Sequence, residues 1–176
     1  MRLLSLLAAA AAVSVCVSAP SATALAPPPA STALLKGPNG ERIGQVLIQQ
    51  VPTGVVIDVD VKGLTPGWHG MHIHEKGDCS AVDASSAGGH FNPTAAPHGR
   101  METTPHHAGD MDNIVADGEG VAHVNMHVSG VTLGGGLPTD IAGRALVVHA
   151  KADDYHSQPS GDAGSRVACG VITILD

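Results

Sequence analysis

Between Val55 and Lys62 the chain alternates: Ile57, Val59 and Val61 fall on one side, Asp58, Asp60 and Lys62 on the other. A period of two predicts a half-buried antiparallel strand. Gln45–Gln50 is a shorter candidate. His69–Glu75 alternates again, with Met71 and Ile73 opposite His72 and His74. Further strands are predicted over Asn113–Ala116, Val121–Val131, Ala145–Ala150 and Val167–Leu175, separated by glycine-containing turns such as Asp117-Gly118-Glu119-Gly120. Neither an amphipathic helix of useful length nor an internal repeat is visible. This pattern predicts an all-β fold, an eight-stranded antiparallel Greek-key barrel or sandwich. Two long irregular segments, Lys76–Asp110 and Lys151–Arg166, interrupt it, and loops of that length inside a compact domain usually carry function.

The first residues follow a different pattern. Met1-Arg2 precedes an apolar stretch from Leu3 to Val17, and Ala22-Thr23-Ala24 offers an A-x-A cleavage site. The expected organisation is therefore a secretory signal over 1–24, a proline-rich tether over 25–32 and one domain over 33–176. The apolar run is short for a membrane span and is followed by Pro, Ala and Ser, so no stable span is expected after processing. The product would be periplasmic or secreted. With Cys16 removed, Cys79 and Cys169 remain, and an even pair in an exported chain reads as one disulfide. Closing a loop of about ninety residues would stabilise the fold by roughly 4–5 kcal/mol in the chain-entropy model.

Composition sharpens this picture. Phe91, Trp68 and Tyr155 are the only aromatics among 176 residues, whereas there are 22 glycines. Such a core must be built from β-branched and small side chains, with Trp68 expected to pack. A net charge of −7 and the lack of any Lys/Arg run exclude a nucleic-acid surface. The eleven histidines point to metal.

In a strand, residues i and i+2 share a face, so His72 and His74 project together, about 6–7 Å apart at the backbone. Alone, that pair is equally at home on a solvated strand face. His149, at the end of the apolar strand Ala145–Val148, lies opposite the core-facing Leu146 and Val148 and would meet the pair if the strands are neighbours. The first long loop carries His90, His98, His107 and Asp110. Three imidazoles and a carboxylate suit a closed tetrahedral Zn²⁺ site, while an all-imidazole set with an open position suits Cu(II). His123, Asn125 and His127 alternate with apolar residues and are read as solvent-facing, His69 as a structural hydrogen-bonding residue, and His106 and His156 as surface histidines.

The string Gly70-Met71-His72-Ile73-His74-Glu75-Lys76-Gly77-Asp78 resembles the copper-site signature of copper–zinc superoxide dismutases. Gly89-His90-Phe91-Asn92-Pro93, His107-Ala108-Gly109-Asp110-Met111, Leu146 to Asp154 and Gly164 to Ile172 are similar to the family's other hallmark segments, in its order. The resemblance runs from about Leu34 to the C-terminus. It implies that His72, His74, His90 and His149 bind copper, and that His90, His98, His107 and Asp110 bind zinc, with His90 bridging. Asp153 would orient ligand histidines of both metals. Arg166 would stand beside the open copper position to attract superoxide, the small-molecule substrate, and Cys79 and Cys169 would form the family disulfide. Arg166 and His90 are thus the expected catalytic residues. The placement of Cys79 and the composition of the second loop resemble bacterial members. That loop lacks a lysine and acidic pair known in eukaryotic ones, leaving guidance of the anion to Arg166. The rival expectation is a non-catalytic exported copper- and zinc-binding protein on the same fold. Oligomeric state stays open, with a homodimer among the outcomes.

Overall fold

The computed structural model describes residues 30–103 and 105–175. The expected signal segment and the tether up to residue 29 lie outside the described residues. Ten strands follow in order: β1 (Ala30–Lys36), β2 (Arg42–Val51), β3 (Gly54–Val61), β4 (Gly67–His69), β5 (Met71–His74), β6 (Ile114–Ala116), β7 (Ala122–Ser129), β8 (Ala145–His149), β9 (Arg166–Val171) and β10 (Thr173–Ile174). Among the described residues the only helical piece is a 3-10 turn at Ser85–Ala87.

The main sheet runs β5-β8-β9-β1-β2-β3-β7, with β10 also on β1, while β4 and β6 form a separate pair. Every strand pair is antiparallel. The β4–β6 pair bridges the two ends of the main sheet, because β6 lies beside β7 and β4 leads through Gly70 into β5. The curled sheet with its non-sequential neighbours matches the predicted Greek-key barrel.

Alternation explains the core. Val46 faces Val59 and Ile48 faces Ile57 across β2–β3, and all four are buried. On the outer side Asp58 pairs with Asn125 and Asp60 with His123. At roughly 25 cal/mol per Å² of apolar surface, this inward face of branched aliphatics is the main source of stability. Phe91 is the only large aromatic in it.

Three expectations need correction. Strand β1 begins at Ala30, inside the segment read as tether, where Ser31 and Thr32 pair with both β2 and β10. The predicted strand His69–Glu75 is two strands, because at Gly70 the backbone turns to the second loop: Gly70 N–H donates to the Lys151 carbonyl at 2.7 Å. Trp68 does not pack inside. It is 62 % exposed, because alternation along β4 turns it outward while His69 is buried.

Candidate metal centre

Strand β5 is buried along its whole length. One of its edges pairs with β8, placing Met71 against Val148 and His72 against Val147. Its other edge is completed by the first long loop. Phe91 N–H donates to the Ile73 carbonyl at 2.8 Å, Ile73 N–H to Gly109 at 2.9 Å and Glu75 N–H to Gly89 at 2.9 Å. Bridges between His74 and His90 and between His72 and Asp110 complete the lacing. A segment that reads as irregular is thus an extra, broken strand, and its pairing delivers His90 and Asp110 to the side of His72 and His74. On β8 a bulge between Val148 and His149 sets His149 opposite Arg166. Bulges of this kind re-aim a side chain.

The ring nitrogens of His72, His74, His90 and His149 come within 4.8 Å of one another. In each ring the other nitrogen is already engaged. His72 Nε2 lies 2.7 Å from Asp153 Oδ2, His74 Nδ1 2.9 Å from the Gly88 carbonyl, His149 Nδ1 3.3 Å from the Gly164 carbonyl and His90 Nδ1 2.8 Å from Asp110 Oδ1. The remaining four nitrogens, His72 Nδ1 and Nε2 of His74, His90 and His149, are buried without any protein partner. A buried nitrogen without a partner is costly, and a cluster of four suits a metal that favours imidazole, such as copper. Burial holds the His74 imidazolium down to about 2. For His149, burial and then the charge of His72 lower it to about 3. These two rings are neutral at ordinary pH and so free to donate a lone pair.

His90 also belongs to a second group with His98, His107 and Asp110. Here the Nδ1 atoms of His90, His98 and His107 stand 2.8, 2.9 and 3.1 Å from one oxygen, Asp110 Oδ1. Asp110 Oδ2 accepts from the backbone N–H groups of Gly99 and His107. Burial works against the Asp110 anion, but these hydrogen bonds outweigh it and hold its carboxyl far below the usual carboxylate range. Burial likewise opposes charge on His98, yet contacts with Asp110 and Asp153 raise it to about 9. His90 goes the other way, lowered to about 4 chiefly by burial. Three imidazoles and a carboxylate converging on one point suit tetrahedral zinc.

Asp153, on the second long loop, touches both groups through His72 Nε2 at 2.7 Å and His98 Nε2 at 3.0 Å. Arg166, at the start of β9, is half-buried at the mouth of a cleft of about 550 Å³ that His74, His90 and His149 also line. Its guanidinium donates to the carbonyls of Ala84 and Gly88, each at 2.6 Å. Cys79 and Cys169 form the disulfide, Cα–Cα 5.7 Å, tying the first loop to β9.

The structure therefore gathers the seven candidate metal ligands, with Asp153 and Arg166 beside them. His69 is a structural residue, with Nδ1 at 2.7 Å from the His149 carbonyl and Nε2 at 2.7 Å from Thr65. His123 and His127 are exposed, and His123 with Asp58 and Asp60 makes a separate surface group. His156 is exposed and His106 half-buried. Several contributors carry no sequence signal: the carbonyls of Ala84 and Gly88, the Asn113 and Tyr155 side chains, and Gln158, which brackets the His98 backbone from the second loop through both its amide atoms.

Residues 42–172 match the family model for copper/zinc superoxide dismutase (SODC). The chain belongs to this family. Among similar proteins, superoxide dismutase [Cu-Zn] of Caulobacter vibrioides is 44 % identical, the match covering 81 % of this chain and 84 % of that one. Extracellular superoxide dismutase [Cu-Zn] of Brugia pahangi is 42 % identical over 81 % of this chain and 74 % of its own. A double mutant of a SOD-like protein from Bacillus subtilis has a similar solved structure, with TM-score 0.76, 36 % identity and coverage of 81 % of this chain and 96 % of that one. As a family member the chain is a copper–zinc protein, and the two groups sharing His90 are its candidate ligands.

Proposed function

We propose that this chain disproportionates superoxide, converting two superoxide anions and two protons into oxygen and hydrogen peroxide, at a centre in which His72, His74, His90 and His149 hold copper and His90, His98, His107 and Asp110 hold zinc. The observation that carries this assignment is the set of four buried, partnerless imidazole nitrogens, one of them on a ring whose other nitrogen lies in the carboxylate-centred group. When bound, copper supplies a one-electron redox couple, while zinc is redox-inert.

The chain's own residues do the rest. Arg166 places a fixed positive charge at the cleft beside His74, His90 and His149, attracting and orienting a small anion in a protein of net charge −7. Its clasp on Ala84 and Gly88 keeps that charge from wandering. His90 Nε2 is the atom at which a proton can be held and handed to the reduced oxygen species. His90 Nδ1 stays turned towards Asp110, so the ring keeps its place while the proton moves. Asp153 fixes the tilt of His72 and His98, the kind of outer partner that orients metal-ligating imidazoles. A purely metal-storing protein would have no use for an arginine clasped at the cleft mouth.

The deciding experiment combines metal analysis of the purified protein with superoxide consumption, for wild type, His149→Ala and Arg166→Ala. We expect bound copper and zinc in the wild type. His149→Ala should lose activity almost completely, and Arg166→Ala roughly tenfold or more, both retaining zinc. Unchanged superoxide removal by His149→Ala would refute the copper assignment, and copper loading without any turnover would favour the storage reading.

The rest of the reading concerns setting. The disulfide and the similarity to bacterial and extracellular members support export, with residues 1–24 as the removed signal and the mature protein periplasmic or secreted. A homodimer would cover Trp68 and its cross-strand neighbour Val115, which together expose apolar surface on β4–β6. Sedimentation of wild type against Trp68→Glu tests it.

A further inference from the structure

Asp153 can orient two metal ligands only if something orients Asp153. Its backbone is read at two points by one side chain: Asp153 N–H donates to Asn113 Oδ1 at 2.8 Å, and Asn113 Nδ2 donates to the Asp153 carbonyl at 2.9 Å. Asn113 in turn is held by Tyr155, whose hydroxyl oxygen accepts from the Asn113 N–H at 2.9 Å. Tyr155 closes the ring with its own N–H, which donates to Asp153 Oδ1 at 2.6 Å. That oxygen is the one that meets His98, and its twin meets His72. To make both contacts, Tyr155 takes φ 64°, a region that residues with side chains seldom adopt. The phenol ring is covered by the Arg100 guanidinium, 5.2 Å from its centroid, and Arg100 is anchored on Asp112 at 2.9 Å. From the other side Gly161, at φ +68°, backs the carboxylate so closely that a Cβ there would meet Asp153 Oδ1 and His98 Nε2.

We propose that Tyr155, through its hydroxyl to Asn113 and its N–H to Asp153, is a positioning residue for both metals, fixing the carboxylate that sets the tilt of His72 and His98. The proposal rests on the metal assignments above. Among the described residues the hydrogen bonds of Tyr155 go to Asn113 and Asp153 and none to a candidate metal ligand. Its role is to lock the second long loop, which carries Asp153, to the end of the first, which carries His98, His107 and Asp110. A change at the phenol should therefore reach copper and zinc together, although the two groups share no ligand except His90.

The test is Tyr155→Phe, which removes one oxygen and keeps the ring beneath Arg100. Two readouts are needed: zinc affinity by competition with a chromophoric chelator, and the electron paramagnetic resonance spectrum of the copper(II)-loaded protein. Removing a direct outer partner of a metal ligand costs about 10–100-fold in affinity, so one bond further out we expect roughly 3–10-fold weaker zinc binding, with altered copper hyperfine splitting. If Tyr155→Phe fails to fold, Arg100→Met, which uncovers the ring, should give the same two changes on a smaller scale. Lowered stability with unchanged zinc affinity and unchanged spectrum overturns the positioning role and leaves the metal assignments intact. A wild type that takes up neither metal overturns both.

Discussion

The two halves of the centre are built by different means. His72, His74 and His149 stand on β5 and β8, in the barrel wall, and burial keeps His74 and His149 in the neutral form. On the other side of His90, His98 and His107 come from a loop and are gathered by one carboxylate oxygen, with His98 pushed up to about 9. One half is organised by the main-chain ladder and the core beneath it, the other by charge. The barrel half should therefore keep its shape without an ion, whereas the loop half depends on Asp110.

The largest effect should come from Asp110→Asn, which keeps the shape but removes the charge holding three imidazoles. Zinc affinity is expected to fall by at least about 100-fold, with copper uptake at neutral pH largely kept. Isothermal titration with each metal measures both, and equal loss of the two would abolish the distinction between the halves. Asp153→Asn is expected to cost about 10–100-fold in both metals, because that carboxylate touches one candidate ligand from each half. A loss confined to zinc would place Asp153 with the loop half alone.

Proton linkage gives a subtler test on metal-free protein. His90, His149 and His74, lowered to about 4, 3 and 2, bind fewer protons folded than unfolded below their ordinary 6.5, so their contribution is lost as pH falls. His98, raised to about 9, contributes fully below 6.5, and this is lost as pH rises through 9. Denaturant unfolding across pH 4–9 should therefore show greatest stability near pH 6.5, with a steeper acid limb than alkaline limb. A continued rise to pH 9 would mean that His98 and Asp110 pair only around an ion.

Legibility in the sequence followed the same division. The strands of the barrel wall were readable where alternation is strict, as in Val55–Val61, where each inward residue is aliphatic. β1 was missed because its first inward positions are Ser31 and Ala33, small enough to pass for a continuation of Pro27-Pro28-Pro29. Trp68 was misplaced because an aromatic suggests core whichever way its strand turns it. The candidate metal residues were readable because their histidines follow an order that resembles a known family's. Their supports were not: Asn113 and Tyr155 act through hydrogen bonds to partners about 40 residues away along the chain, and no local pattern records that. Nor could spacing reveal that the first loop pairs with β5, since each bridge is isolated.

The Gly88 carbonyl accepts from both Arg166 and His74, so a single oxygen serves the group proposed to meet the anion and a group proposed to hold copper. Because it belongs to the main chain, ordinary substitution cannot delete it. Mutational drift can reach it only by bending the chain, and Gly88 sits at φ 74°, ψ −154°, a conformation essentially confined to glycine. An engineer wishing to retune capture of the anion independently of the redox ion would have to begin by releasing that shared oxygen.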